Sequence, residues 1–320
     1  MTLDEKVVIT ELTRQHTVDL MRASPRYFLS ARRRGDVLNH GLRYSTFKAV
    51  KLIPRATRLV AYHTEEKAAI GFLYLEENTD WLFTIEYVFV DQKYRRMGLA
   101  TGLLNYALTL AKEKGARKVN LSVDVNSKRA IELYARLGFK EIGRTSLVQG
   151  YLPGSGPSRL IKRCIVGQGC LTRLALERKG HLFEVKTSSR RNRETLFGIY
   201  KRCMDQNWLD FFEINASNLT NGSRHVWQPP FFRDVVSNGL ANSFALIFSI
   251  PFSGKATVEL YNISDGGVQS VLEGLLNILA NRGIAFTQIT LFNPSDSVPT
   301  DWFEEKRMKR FEFEVMGRPV

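Results

Sequence analysis

A strand that runs through a short basic loop straight into a glycine-started helix limits this chain more than any other stretch. Residues 85–100 read Ile-Glu-Tyr-Val-Phe-Val-Asp-Gln-Lys-Tyr-Arg-Arg-Met-Gly-Leu-Ala. Aromatic and β-branched residues up to Val90 favour an extended strand. From Gly98 onward, Leu99, Leu103, Leu104, Ala107, Leu108 and Ala111 share one side of a helical period, and Gly115 ends it. The first turn of such a helix carries unpaired N–H groups and a partial positive charge, so it suits an anion. Gly98 and Ala100 leave the backbone open to close approach, and Lys93, Arg95 and Arg96 add charge. The stretch therefore predicts a seat for a phosphate-bearing ligand.

The surrounding pattern places that seat in an alternating fold. Strands are expected at 7–12, 57–63, 69–76 and 81–90, with a helical region at 17–34; polar turns at 64–67 and 78–80 make the last three strands antiparallel neighbours. A strand at 119–125, a helix at 127–137 stopped by Gly138, a strand at 139–143, a Pro- and Gly-rich loop at 152–157 and a strand at 159–166 complete the first half. Gly167-Gln168-Gly169 reads as a hinge. The second half repeats the order in weaker form: strands at 183–186, 244–250 and 257–263, helices at 194–204 and 267–280, then strands at 285–292 and 311–315. An internal duplication accounts for this order, and two unrelated mixed domains remain the alternative.

Composition bounds the partners. With 320 residues, 44% hydrophobic and 24% charged, the chain can bury a core in two domains of ordinary size. No run reaches the roughly eighteen apolar residues of a spanning helix, and the polar start at residues 1–6 argues against a signal peptide, so a cytoplasmic location is expected. Cys164, Cys170 and Cys203 are too few for a disulfide framework or zinc site. The net charge of +14 is lopsided: residues 1–165 hold 28 Lys and Arg against 16 Asp and Glu, residues 166–320 hold 18 against 16. A basic first half suits nucleic acid, an acidic substrate or a phosphate-rich cofactor, and equally a merely solubilising surface.

About 25 residues after the basic loop comes Asn126-Ser127-Lys128-Arg129-Ala130-Ile131-Glu132-Leu133-Tyr134-Ala135-Arg136-Leu137-Gly138-Phe139. With both motifs in register, the chain resembles the GNAT acyltransferase superfamily, most closely over residues 57–145 and by element order over 1–166. The resemblance implies acetyl-CoA as cosubstrate and no metal. It implies that Arg95, Arg96, Met97, Gly98, Leu99, Ala100 and Thr101 hold the CoA pyrophosphate, that Val88, Phe89 and Val90 offer backbone groups to the pantetheine, and that Asn126 matches the family's Asn. It further implies Glu86 as general base for an attacking amine and Tyr134 as general acid for the departing thiolate, with a backbone N–H near Val88 polarising the carbonyl. Read without the resemblance, Glu86 is equally a salt-bridged strand residue and Tyr134 a packing ring. His40 and His63 are weaker candidates for a base.

The second half departs from the pattern. Ser264-Asp265-Gly266-Gly267 has no Arg and is shorter, and Lys306 stands where Tyr is counted. Trp208, Phe211, Phe212, Trp227, Phe231 and Phe232 favour core packing over a substrate wall or dimer contact. Sequons at Asn215, Asn218 and Asn221 read as a polar loop.

The resulting expectation is an α/β (α+β) chain of two GNAT-like domains, each a mixed, mostly antiparallel sheet flanked by helices. Residues 1–168 would form the catalytic domain, with a splayed central strand pair for CoA, and 169–320 a degenerate one. The expected activity is transfer of an acetyl group to a primary amine, on a small molecule or on a protein lysine or N-terminus, with a homodimer allowed. Membrane partners are not expected and nucleic acid is disfavoured. Acyl-CoA binding with little turnover and nucleic-acid association are the alternatives. Acceptor specificity is expected in residues 17–53 and in a loop at 145–158.

Overall fold

The structure is a computed structural model that describes residues 5–12, 55–152, 183–186, 193–216, 219, 233–238, 243–250, 255–262, 268–281, 283–292 and 300–320. The expected helical region at 17–34, the strand at 159–166, the hinge and the aromatic residues 227–232 lie outside them. The chain forms two compact units: Met1–Ser122 with Lys128–Lys140 and Met316–Val320, and Val123–Ser127 with Glu141–Val315.

In the first unit, β1 (Val7–Glu11), β2 (Arg55–His63), β3 (Ala68–Glu77) and β4 (Leu82–Val90) form an antiparallel meander. β5 (Lys118–Asp124) joins β4 in parallel. The crossover is helix α1 (Leu99–Glu113), whose buried residues are the six of the predicted stripe. They cover Leu59, Leu73, Leu75, Phe83 and Ile85, each at most 2% exposed. Gly71 makes close approach possible: a Cβ there would meet the Phe89 carbonyl oxygen at 3.0 Å and Leu103 Cδ1 at 3.2 Å. α1 ends where Gly115 turns left-handed and the Ala116 N–H reaches back to the Ala111 carbonyl.

Two irregularities shape β4. Its register against β3 shifts between Phe72↔Phe89 and Tyr74↔Glu86, leaving Tyr87 and Val88 as a bulge with Tyr87 at φ 53°. Its parallel pairing with β5 covers only Leu82↔Lys118 to Ile85↔Leu121, after which the strands part. Helix α2 (Lys128–Arg136) follows β5.

The second unit has strand order β6-β11-β10-β9-β8-β7, from β6 (Lys140–Tyr151), β7 (Phe183–Lys186), β8 (Arg233–Asn238), β9 (Ser243–Ile250), β10 (Lys255–Asn262) and β11 (Phe286–Phe292). Helices α3 (Arg193–Cys203) and α4 (Gln206–Phe212) precede β8, and α5 (Val268–Asn281) is the crossover between β10 and β11. α6 (Thr300–Glu305) and β12 (Met308–Pro319) end the chain. α5 buries Val271, Leu272, Leu275 and Leu279 with Val258, Leu260, Ile289, Trp302 and Phe303.

The mixed, mostly antiparallel sheet flanked by helices is the expected fold class; two sequence expectations change. β6 does not stop at 143: it continues to Tyr151 because Thr145–Tyr151 pairs antiparallel with β11, Val148 opposite Ile289. The supposed acceptor loop at 145–158 is therefore strand over its first half. Nor are the compact units two consecutive halves cut at residue 168. β6 takes its place in the second unit, while the last five residues, Met316–Val320, belong to the first. There the Val320 N–H bonds the Arg117 carbonyl at 3.1 Å, and the Arg318 guanidinium bonds the Leu137 carbonyl at the end of α2. Among the described residues, no helix is long and apolar enough to cross a membrane.

Candidate active site

Parallel pairing puts the C-terminal ends of β4 and β5 on one edge of the first unit's sheet, and α1 and α2 both follow from that edge. In such sheets the crevice beyond the strand ends is where ligands bind.

Glu86 is the first β4 residue past the last β5 pair, and it is half-buried. Across β3 it faces Tyr74, which in turn faces Arg58 on β2. The Arg58 guanidinium lies 5.6 Å from the Tyr74 ring centre, and Tyr87 meets that ring edge-on at 5.5 Å. Burial pushes the Tyr74 hydroxyl above the ordinary tyrosine range; Arg58 pulls it back and Glu86 pushes it up. Arg58 and Tyr74 are not among the site residues expected from sequence. The available signal was the two-residue period on the strands, which puts Arg58, Tyr74 and Glu86 on one row once the register is known.

The loop after β4 is held from within. The Asp91 N–H bonds the Ile70 carbonyl at 2.8 Å, and the Asp91 carboxylate accepts from the Lys93 N–H at 2.9 Å, starting a 3₁₀ turn over Gln92–Tyr94. Arg95 Nε donates to the Val90 carbonyl at 3.1 Å. Arg95, Arg96 and Met97 are exposed, with Arg96 at φ 68°. Gly98, at φ 80°, is the N-cap of α1 and has no side chain to cap the helix's leading amides. Leu99 is buried, and Ala100 and Thr101 are half-buried.

Lys93 plays a different part from the one its charge suggests. Its Nζ lies 3.2 Å from Glu66 Oε1 and also bonds the Tyr94 hydroxyl, itself hydrogen-bonded to Glu66. A carboxylate 27 residues away thus balances it, leaving Arg95 and Arg96 as the loop's remaining cations. Val88 sits in the bulge, while Phe89 pairs with Phe72, ring to ring at 5.4 Å.

Tyr134 lies on α2 and is 8% exposed, its ring edge-on to Phe139 at 6.1 Å. Burial pushes its hydroxyl up to about 12, so it stays protonated across the neutral range. The Tyr134 carbonyl accepts from the Leu137 and Phe139 N–H groups, closing α2 onto Gly138. Asn126 is exposed in the turn after β5, where its N–H and Nδ2 both engage Asp124 Oδ1. That turn is grouped with the second unit, apart from the other candidates. Among the described residues, no group of three or more His, Cys, Asp or Glu is placed to hold a metal.

The corresponding edge of the second unit is closed. β10 and β11 stay paired from Lys255↔Phe286 to Tyr261↔Phe292, and β9 and β10 run without a bulge. Phe244, Tyr261 and Phe292 stack in series at 4.7 Å, with Tyr200 and Trp208 against them at 5.5 and 5.6 Å. Trp208 and Phe212 are core residues, as the favoured reading had it.

A bulged β4 parted from β5, feeding a basic loop into a glycine-capped helix, defines a GNAT fold in the first unit. Residues 20–139, just over a third of the chain, match the acetyltransferase (GNAT) family. The chain is 38% identical over 102 residues to an uncharacterized N-acetyltransferase of Methanocaldococcus jannaschii, covering 29% of this chain and 40% of that protein. It is 35% identical over 72 residues to N-alpha-acetyltransferase 30 of Schizosaccharomyces pombe, covering 22% and 47%. The matched stretches thus span less than half the length of either relative. A GCN5-related N-acetyltransferase from Sphaerobacter thermophilus shares the fold, with a TM-score of 0.58 and 13% identity over 99% of this chain and 97% of that one.

Proposed function

We propose that the protein is an acetyl-CoA-dependent N-acetyltransferase acting on a primary amine, with the first unit as its catalytic unit. The observation that carries this reading is the parting of β4 from β5 directly before Glu86, beside a helix whose N-cap is a left-handed glycine. Acetyl-CoA, when bound, supplies the thioester; the residues of this chain do the rest. The leading amides of α1 at Leu99, Ala100 and Thr101, with Arg95 and Arg96, hold the pyrophosphate, and Gly98 keeps side-chain bulk away from it. Val88 and its neighbours Phe89 and Val90 offer backbone groups to the pantetheine and thioester oxygen.

An alkylammonium has no lone pair to attack with. Glu86, as general base, removes its proton directly or through water, with Arg58 and Tyr74 lined up behind it. The amine nitrogen then bonds the acetyl carbon, the carbon–sulfur bond breaks, the nitrogen gives up its second proton through water to the leaving sulfur, and the Tyr134 hydroxyl stabilises the developing thiolate by a hydrogen bond. With its hydroxyl pushed up to about 12, Tyr134 is a reluctant acid but a fully protonated hydrogen-bond donor. Because two relatives are named N-alpha-acetyltransferases, the peptide N-terminus is the first acceptor class to test. We also propose a tandem arrangement whose second unit has lost the reaction. The pairing of β10 with β11 as far as Tyr261↔Phe292 and the unit's aromatic stack support this.

The test is acetyl-CoA turnover, read as released thiol, against peptides, free amines and aminoglycosides. Tyr134→Phe should lower turnover by roughly 10²–10³-fold, the loss of one hydrogen-bond donor to developing charge, with little change in CoA affinity. Wild-type rates in that variant would remove Tyr134 from the mechanism.

A further inference from the structure

The second unit contains a cavity of about 340 Å³ that the acetyl-transfer reading does not use. It lies between β6, the α3–α4 turn and β12, within the size range of small-molecule sites. Its wall carries both signs of charge. Arg144 and Arg310 supply guanidinium groups, each paired with a carboxylate of its own strand: Arg144 Nε to Glu141 at 3.0 Å, Arg310 Nη2 to Glu312 at 3.0 Å. Asp205 faces the same space. Its Oδ1 accepts from the Trp208 N–H at 2.8 Å, and a Cβ on Gly143 would come within 3.8 Å of its Oδ2. Gly143 cannot be larger, since that Cβ would stand 2.9 Å from the Trp208 ring.

The floor is apolar, with Met204, Trp208 and Phe313. Cys203 also borders it, but burial pushes its thiol up to about 12, so it is no nucleophile at neutral pH. Ser146 there is fully buried, and its Oγ makes no hydrogen bond among the described residues. A buried hydroxyl left unbonded calls for a ligand or an ordered water.

A singly charged ligand would meet repulsion from one part of this wall. A zwitterion sets its carboxylate toward Arg144 and Arg310, its ammonium toward Asp205, and an apolar side chain on Trp208 and Met204. We propose that this cavity binds a small zwitterion of the amino-acid class, a free amino acid or dipeptide with an apolar side chain, with Ser146 donating to its carboxylate. The site is independent of the acetyl-transfer reading.

The test is calorimetric titration of the full chain, without acetyl-CoA, using L-leucine and glycyl-L-leucine as probes. N-acetyl-L-leucine and L-leucinamide each keep one charge and serve as controls. The zwitterions should bind at least about tenfold tighter than either control, the scale of one charged hydrogen bond. Ser146→Ala should weaken binding about 3- to 10-fold and the exposed Arg144→Ala about tenfold, both with unchanged thermal unfolding, while Glu86→Gln binds as wild type. No heat at millimolar probe, equal binding of the controls, or wild-type affinity in both cavity variants would overturn the proposal. Binding lost in Glu86→Gln but kept in Ser146→Ala would put the probe in the first unit. The cavity proposal would then fail while the acetyltransferase reading stood.

Discussion

Arg318, two residues from the chain's end, is predicted to hold the helix that carries Tyr134. Its guanidinium bonds the Leu137 carbonyl just past the last turn of α2 and lies 6.0 Å from the Phe139 ring centre. Gly138, at φ 84°, leaves room for it, the nearest guanidinium nitrogen being 3.7 Å from where a Cβ would stand. A hydrogen bond from a charged donor is worth about 1.5–3 kcal/mol, and a cation over an aromatic face adds about 0.5–1 kcal/mol. Water can replace part of the bond once the arginine is gone, so Arg318→Ala should cost about 2 kcal/mol, against about 0.5 kcal/mol for an ordinary surface change. For a unit of this size that lowers the melting temperature by roughly 4–8 °C. Thermal unfolding with and without CoA is the assay, with Arg318→Lys as the variant that keeps charge but loses the planar fork. Turnover should fall with stability, since Leu137 and Phe139 both bond back to the Tyr134 carbonyl. A melting shift below about 1 °C for Arg318→Ala would refute the reasoning.

Three further outcomes are expected. Gly98→Glu should cost about 1 kcal/mol, because φ 80° strains any side chain, and should weaken CoA binding at least about 100-fold by setting a carboxylate at the pyrophosphate seat; titration with CoA checks both. Gly71→Val should cost about 1–3 kcal/mol in urea unfolding, since its Cβ would already press on the Phe89 carbonyl and Leu103. Tyr134 holds its proton more tightly folded, about 12 against an ordinary value of about 10. Its stabilising contribution is therefore whole below pH about 10 and shrinks as pH climbs toward about 12, by roughly 2–3 kcal/mol in all. Tyr134→Phe should flatten that alkaline loss; Tyr200, buried and also pushed up, keeps part of the slope in place.

Local chemistry in the sequence was enough for several parts of this protein. The stripe from Leu99 to Ala111 became the buried face of α1, because helical spacing alone decides which side chains share a side. The left-handed turns at Gly98, Gly115 and Gly138 fell where only glycine adopts them without strain. The absence of arginine in residues 263–267, before α5, is what leads us to propose that the second unit lacks a cofactor loop. What only the tertiary structure decided depends on partners far apart in sequence. β6 continues to Tyr151 because β11, about 140 residues later, accepts its edge. Residues at the end of the chain complete the first unit, which no composition shift near residue 168 could announce. Lys93 is balanced by Glu66, and Arg58, Tyr74 and Glu86 form one row only after strand register and the bulge at Tyr87 are set. Periodicity reports which way a side chain points, but strand pairing decides what it meets, and pairing is settled by burial across the whole fold.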